Sequence, residues 1–287
     1  GFGPDGNGVP RIKRFLTDLK HDGMAPTSIM FFKEVGHSQE GAQEVSKLLD
    51  GGYFSGPKPQ RLMQRLLTLA NLKEDSIVLD FFSGSASTAH AVMSKNVEDS
   101  GRRKFIMVQL PEPCDEKSEA YKASYSNICE IGKERIRRAA KKIAEEHPDT
   151  KFDGGFRVLK LDDTNMKDVY YAPADYEQNV LDLLESNIKE DRTDLDLLFG
   201  CLLEWGLPLS LPYQSQNIEG CTVHNYNDGD LFACFDENIP DSVIKTIAKR
   251  QPLRAVFRDS SFAGSPAKIN VTQIFKELAP DTSVKVL

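Results

Sequence analysis

The stretch Ser76-Ile77-Val78-Leu79-Asp80-Phe81-Phe82 constrains this chain more than any other. Its apolar run has β-branched members and no polar alternation. That pattern predicts a central parallel strand buried on both faces. Ser83-Gly84-Ser85 follows as a tight turn, where glycine admits a positive φ or the close approach of another backbone. Ser87, Thr88, Ala89, Ala91, Val92 and Met93 then begin a helix with small residues on its inner side. Lys104 to Leu110 (KFIMVQL) reads as a second buried strand. Strand, turn, helix and strand make a βαβ unit, expected to be right-handed. The fold class is therefore α/β.

The rest of the chain arranges itself around that unit. Residues 1 to 26 read as loop with one short periodic piece, Ile12 to Leu19. Ser28 to Val35 is apolar enough for a buried strand or strand end, and Gln43 to Leu49 for one or two helical turns. Gly51 to Pro59 is rich in turn residues. Leu62, Met63, Leu66, Leu67 and Ala70 then share one face of a helix that ends near Asn71, with Pro59 harmless at its start. After the second strand a long helix is expected from Ala120 to His147. Its apolar stripe is Ile128, Ile131, Ile136, Ala139, Ala140 and Ile143. Lys133, Arg135, Arg137, Arg138, Lys141 and Lys142 crowd its polar side. Such a run could face DNA, but Glu130, Glu134, Glu145 and Glu146 make a solvated face the simpler reading.

Beyond residue 150 the pattern changes, and the expected division is 1–150 and 151–287. Phe156 to Leu161 reads as a strand, Tyr176 to Asn187 as an acidic helix, and Thr193 to Trp205 as an amphipathic helix capped by Thr193 or Asp194. Strands at Thr222–Tyr226 and Leu231–Phe235 flank the turn Asn227-Asp228-Gly229-Asp230. A helix from Pro240 to Ala248, a strand from Leu253 to Phe257, a helix from Ile269 to Leu278 capped by Asn270, and a strand from Ser283 to Leu287 complete a second, partly parallel sheet.

Composition removes several classes of function. With 36 basic and 43 acidic side chains the formal charge is −7, which argues against a histone-like or arm-like DNA binder and leaves room only for a local basic cleft. The five cysteines show no C-x₂-C or C-x₄-C spacing, so reduced cysteines and no metal site are expected. No stretch reaches the roughly 18 to 20 apolar residues of a membrane span. No signal peptide opens the chain, and a cytoplasmic location is expected. The glycine-rich start at Gly1 suggests a piece of a longer protein. No G-x-G-x-x-G follows the first strand, and no G-x-x-x-x-G-K-[ST] occurs, which argues against a dinucleotide dehydrogenase and a nucleotide triphosphatase. A strand, a glycine turn and a helix N-terminus can still hold a nucleotide-like ligand beyond the strand ends.

The stretch IVLDFFSGSASTAHAVM, Ile77 to Met93, resembles the S-adenosyl-L-methionine (AdoMet) motif of amino-methylating DNA methyltransferases. More narrowly, it resembles the modification subunit of type III restriction–modification systems. YFSGPKPQRLMQRLL, RRKFIMVQLPE and ICEIGKERIRRAAKKI are similar to that subfamily in order. So are SIMFFKEVGH near the start and LLFGCLLEWGLPLSLP, GDLFACFDENI, PLRAVFRDSSF and KINVTQIFKELAPD in the C-terminal region. The resemblance implies an incomplete Rossmann-like AdoMet-dependent methyltransferase sheet, followed by a smaller α/β C-terminal domain.

It also implies roles. Asp80 fixes the loop or meets the methionine amine, a cation suited to a carboxylate. Phe81, Phe82, Ser83, Gly84 and Ser85 wrap the methionine part. Pro57 and Lys58 border the same pocket, where Lys58 either meets the AdoMet carboxylate or is a surface lysine. Thr88 caps the helix or touches the ligand, and His90 packs. Either Gln109 or Glu112 takes the ribose hydroxyls. Ala86 stands where many relatives have glycine, which is tolerable if its φ is negative. The family's N6-adenine chemistry needs a D/N/S-P-P-Y/F/W motif to hold a flipped base. This sequence has no Pro-Pro pair, and the family places that motif upstream of such a segment. No catalytic residue is therefore expected here, and the chain alone should be inactive. The parent would act on double-stranded DNA, pair with a second modification subunit as a homodimer and join a restriction helicase–nuclease subunit, with no membrane involved. The alternatives are a protein-interaction or scaffold module with a decayed cofactor site, and a methyltransferase for a small molecule or protein.

Overall fold

The computed structural model describes residues 26–167, 188–262 and 264–287. The periodic piece at Ile12–Leu19 and the acidic helix at Tyr176–Asn187 lie outside the described residues. The chain divides into two units, residues 1–156 and 157–287.

The first unit runs α1 (Phe32–Val35), α2 (Ser38–Leu49), α3 (Gln60–Leu69), β1 (Ile77–Phe81), α4 (Ser87–Asp99), β2 (Lys104–Val108), α5 (Glu119–Lys122) and α6 (Ile128–Glu146). β1 and β2 pair in parallel, from Ile77 opposite Lys104 to Phe81 opposite Val108. Small residues let α4 lie close against its neighbours. Ala89 and Met93 pack with Ile136, Ala139 and Ile143 of α6, and with Phe105 and Met107 of β2. Ala91 and Val92 pack with Leu67 of α3 and with Val78.

The expectation of a strand buried on both faces is corrected. Alternate side chains of a strand point to opposite faces, and only the Val78 face meets helices among the described residues. On the other face Ile77, Leu79, Phe81, Ile106 and Val108 are exposed, with Leu79 at 54% and Phe81 at 63%. The same holds for the second strand, whose burial alternates rather than being continuous.

Two further expectations fail. Ser28–Val35 forms no strand, and Phe31 and Phe32 are exposed. Its last residues make the single turn α1, whose end carbonyls at Lys33 and Glu34 each accept from the Arg61 guanidinium at 3.1 Å. Gly36, at φ 81°, stops it. The long helix is split into α5 and α6. Ser124 takes φ 70°, Asn127 bridges to Pro113, and the Asn127 side chain caps α6 by accepting from the Glu130 N–H at 3.3 Å. The apolar stripe begins at Ile128 and so supports α6 alone; the earlier part of the expected helix has no stripe of its own.

The second unit comprises α7 (Asp194–Glu204), β3 (Tyr213–Ile218), β4 (Cys221–Tyr226), β5 (Leu231–Cys234), α8 (Asp241–Lys249), β6 (Arg254–Phe257), α9 (Ser265–Leu278) and β7 (Ser283–Val286). Its five-stranded sheet has the order β3-β4-β5-β6-β7. The first two pairings are antiparallel and the last two parallel. One face is covered by Leu197, Leu198, Cys201 and Leu202 of α7. The other is covered by Val243, Ile244 and Ile247 of α8 with Val271, Ile274 and Phe275 of α9. β5 is accordingly buried along its whole length.

Thr193 caps α7 in a reciprocal box with Asp196. α9 begins earlier than the apolar pattern suggests, after Gly264 at φ 126° and with Pro266 in its first turn. Asn270 is thus an interior residue that donates to Asp241 at 2.6 Å, not a cap. Phe156–Leu161 forms no strand. Instead, the Arg157 guanidinium donates to the carbonyls of Leu209 and Leu211 and lies over the rings of Phe199 and Tyr213.

Candidate functional site

β1 delivers Asp80 and Phe81 to a loop with unusual backbone geometry. Phe82 (φ 60°), Gly84 (φ 53°) and Ala86 (φ 58°) are all left-handed. For Phe82 and Ala86 this conformation costs on the order of 1 kcal/mol each. The condition attached to Ala86 is therefore not met, since its φ is positive. Its methyl is accommodated by burial in the cluster that holds Met93 and Ile136. Strain of this kind persists only where the surroundings impose it, and it gathers at ligand-binding loops.

The surroundings impose it here from several sides. Ser83 N–H donates to the Val108 carbonyl at 3.1 Å, and Ala86 N–H to the Ser83 carbonyl at 2.8 Å. Gly84 N–H donates to Oε1 of Gln109 at 2.7 Å. Thr88 donates to Oδ2 of Asp80 at 2.5 Å, joining the strand end to the first turn of α4. A Cβ on Gly132 of α6 would stand 3.1 Å from the Gly84 carbonyl, and one on Gly84 would stand 2.9 Å from the Phe54 ring.

The segment Pro57-Lys58-Pro59 forms a strap beside the loop. Both prolines are buried and Lys58 is exposed. Ser87 donates to the Lys58 carbonyl at 3.0 Å. Behind the strap, Gly41 of α2 lies so close that a Cβ there would come within 2.3 Å of the Pro57 carbonyl oxygen. The structure thus brings together Asp80, Thr88, Ser83, Gly84, Ser85, Gln109, Pro57 and the Lys58 backbone. Phe81 and Phe82 stand exposed at the loop mouth, Phe82 at 72%. Glu112 is a surface residue whose backbone is engaged by Leu110 and Ile128.

Sequence reasoning missed the part of Arg135. Grouped with the solvated basic face, it is instead 1% exposed. Its guanidinium donates to Ser85 Oγ at 2.9 Å and to Ser87 Oγ at 2.7 Å. Its Nε has no partner, and burial pulls its pKa down to about 10. The signal was its place on the apolar stripe, one turn from both Ile131 and Ala139. The other basic residues do form a solvated face: Lys133 meets Glu130, Arg137 and Arg138 meet Glu134, Lys141 meets Glu145 and Lys142 meets Glu146.

His90, in the first unit, is also buried, with an unpartnered Nδ1. Burial first, then the Arg135 and Lys142 charges, push its pKa down to about 3. It is a neutral packing residue at neutral pH. In the second unit Cys221, Cys234 and Asp236 place ligand-type atoms within 4.8 Å of one another. Burial pushes the Cys234 thiol up to about 12. Both cysteines pack with Val223 and Phe257 in the core of the second unit. All five cysteines are free thiols.

Residues 17–142 match the family described as DNA methylase, N6_N4_Mtase. The chain is 36% identical over 160 residues to the Mod subunit of the type III restriction-modification enzyme StyLTI of Salmonella typhimurium strain LT2, covering 56% of this chain and 24% of that protein. It is 29% identical to the EcoPI Mod subunit of Escherichia phage P1, over 91% of this chain and 40% of the relative. It is 27% identical to the EcoP15I Mod subunit of Escherichia coli, over 99% and 42% respectively. The chain thus spans well under half the length of the relatives it matches.

Proposed function

We propose, on the premise that this chain is a relative of the type III modification subunits, that it is the AdoMet-binding and C-terminal portion of a site-specific DNA N6-adenine methyltransferase. The observation that carries the reading is the strained loop Phe82–Ala86 at the end of β1, held to β2 by Gln109 and to α4 by the Asp80–Thr88 bond. The donor set fits the cofactor. Thr88 occupies one carboxylate oxygen of Asp80, and the other is available for the methionine ammonium. Ser83, Gly84 and Ser85 surround the amino-acid part, with Phe81 and Phe82 at the mouth and Pro57 and Lys58 along the border. Gln109 accepts from Gly84 N–H and donates one amide hydrogen to the Leu110 carbonyl, so the ribose contact falls either to its second amide hydrogen or to Glu112.

When bound, AdoMet supplies an electrophilic methyl group; this chain's own residues bind and orient it. The sequence has no Pro-Pro pair, so the pocket for the flipped adenine belongs to another part of the parent enzyme. The parent acts on double-stranded DNA in the cytoplasm, as a homodimer joined by a restriction helicase–nuclease subunit, and the second unit serves those protein contacts. Among the described residues no helix is long and apolar enough to cross a membrane.

The test is a calorimetric titration of the chain with S-adenosylhomocysteine, the demethylated product. Saturable binding that Asp80→Ala abolishes is the expected result. A chain that melts cooperatively yet binds neither product nor AdoMet overturns the cofactor reading and favours an interaction module.

A further inference from the structure

The buried guanidinium of Arg135 has no carboxylate partner within ion-pair distance among the described residues. An interior cation whose opposing charge, Glu44, acts on it without direct contact is expensive to keep. A hydrophobic residue of similar size would satisfy the packing around Ile131, Ile136 and Ala139. What the guanidinium does that such a residue cannot do is donate to Ser85 and Ser87 together, at 2.9 and 2.7 Å. Ser87 then passes its own hydrogen to the Lys58 carbonyl at 3.0 Å. One side chain of α6 therefore ties the loop after β1 to the strap before α3, two segments far apart in sequence.

We infer that Arg135 is a positioning residue, which assembles the amino-acid end of the cofactor site by holding the Ser85–Ser87 turn and the Pro57–Pro59 strap in one arrangement. The inference rests on the cofactor reading above. Arg135 itself lies below the loop, and the ligand would meet Ser83 and Gly84 on its half-exposed side. Its influence should therefore fall on ligands that carry the amino-acid part and spare those that lack it.

The experiment compares wild type, Arg135→Met and Arg135→Lys in the full chain. Amide hydrogen exchange is measured without ligand, and titrations use S-adenosylhomocysteine and 5′-methylthioadenosine, which has no amino-acid end. Arg135→Met should speed exchange at the Lys58 and Gln60 amides, the two that the strap segment carries, and in residues 83–88, while α2 and the second unit keep their protection. Its affinity for S-adenosylhomocysteine should fall by about tenfold, the loss expected for one charged hydrogen-bonded donor, with methylthioadenosine changed less than about twofold. Arg135→Lys should restore most of both. Unchanged exchange in the two segments, or an equal loss for both ligands, overturns the inference. If Arg135→Met does not fold, Ser87→Ala cuts the second link and should release the Lys58 and Gln60 amides alone; retained protection at both is the negative result. A wild-type chain that binds neither ligand removes the cofactor reading, while the exchange result still decides whether Arg135 holds the two segments.

Discussion

Gly41 and Gly84 are positions where a single methyl group would do disproportionate damage. A Cβ on Gly41 meets the Pro57 carbonyl and the Pro59 nitrogen, both backbone atoms that cannot swing aside. Gly41→Ala should cost about 1–3 kcal/mol, the usual range for overpacking, read as a lower denaturation midpoint. Its product affinity should fall as well, because the strap is what gives way. His90 offers a pH signature. Its folded pKa of about 3 lies below the ordinary 6.5, so the unfolded chain takes up the proton first. The stability from keeping it neutral is complete above pH 6.5 and is lost as pH falls toward 3. At pH 5 the loss is about 2 kcal/mol. Urea denaturation at pH 7 and pH 5 should show a smaller decline for His90→Leu than for wild type. Residue by residue, the turn at Gly84 was legible from its residue type, whereas the left-handed Phe82 and Ala86 were not, because nothing in a side chain with a Cβ announces a positive φ. Arg135 was not, because charge argued for solvent while its position on the Ile131–Ala139 stripe argued for burial, and position won.

Among the elements, those with a helical or alternating period were readable. α3, α4, α7 and α8 lie where the apolar residues recur, and β4 to β7 lie where short apolar runs sit between turn residues. β3 escaped notice because its sequence, YQSQNI, is mostly polar, as befits the end strand of a sheet. α1 escaped because its order comes from a distant guanidinium, Arg61, rather than from its own period. β1 was read correctly as a parallel strand. Its second buried face was not found, because an apolar run records what a strand suits, not what covers it. The capping box of α7 supplies a clean element-level test. Thr193→Ala removes the side-chain oxygen that accepts from Asp196 N–H, at a cost of about 1 kcal/mol. The second unit's melting transition should fall while the first unit's stays in place.

On the scale of the whole molecule, the apolar clusters divide as the two units do. Three lie within residues 1–156 and two within 157–287. The candidate site belongs entirely to the first unit. In scanning calorimetry S-adenosylhomocysteine should therefore raise one of two transitions and leave the other fixed. Ligand at a hundredfold its dissociation constant adds about 2.7 kcal/mol to the state that binds it. A shift of both transitions together would mean that the units unfold as one.

The uncovered face of the β1–β2 pair has a consequence of its own. Ile77, Leu79, Phe81, Ile106 and Val108 hold water against hydrocarbon, and water in that position stores heat as it is warmed. Whatever body comes to cover these side chains releases that water. Its association enthalpy must then grow more negative with rising temperature, more steeply than a polar contact of equal area would make it.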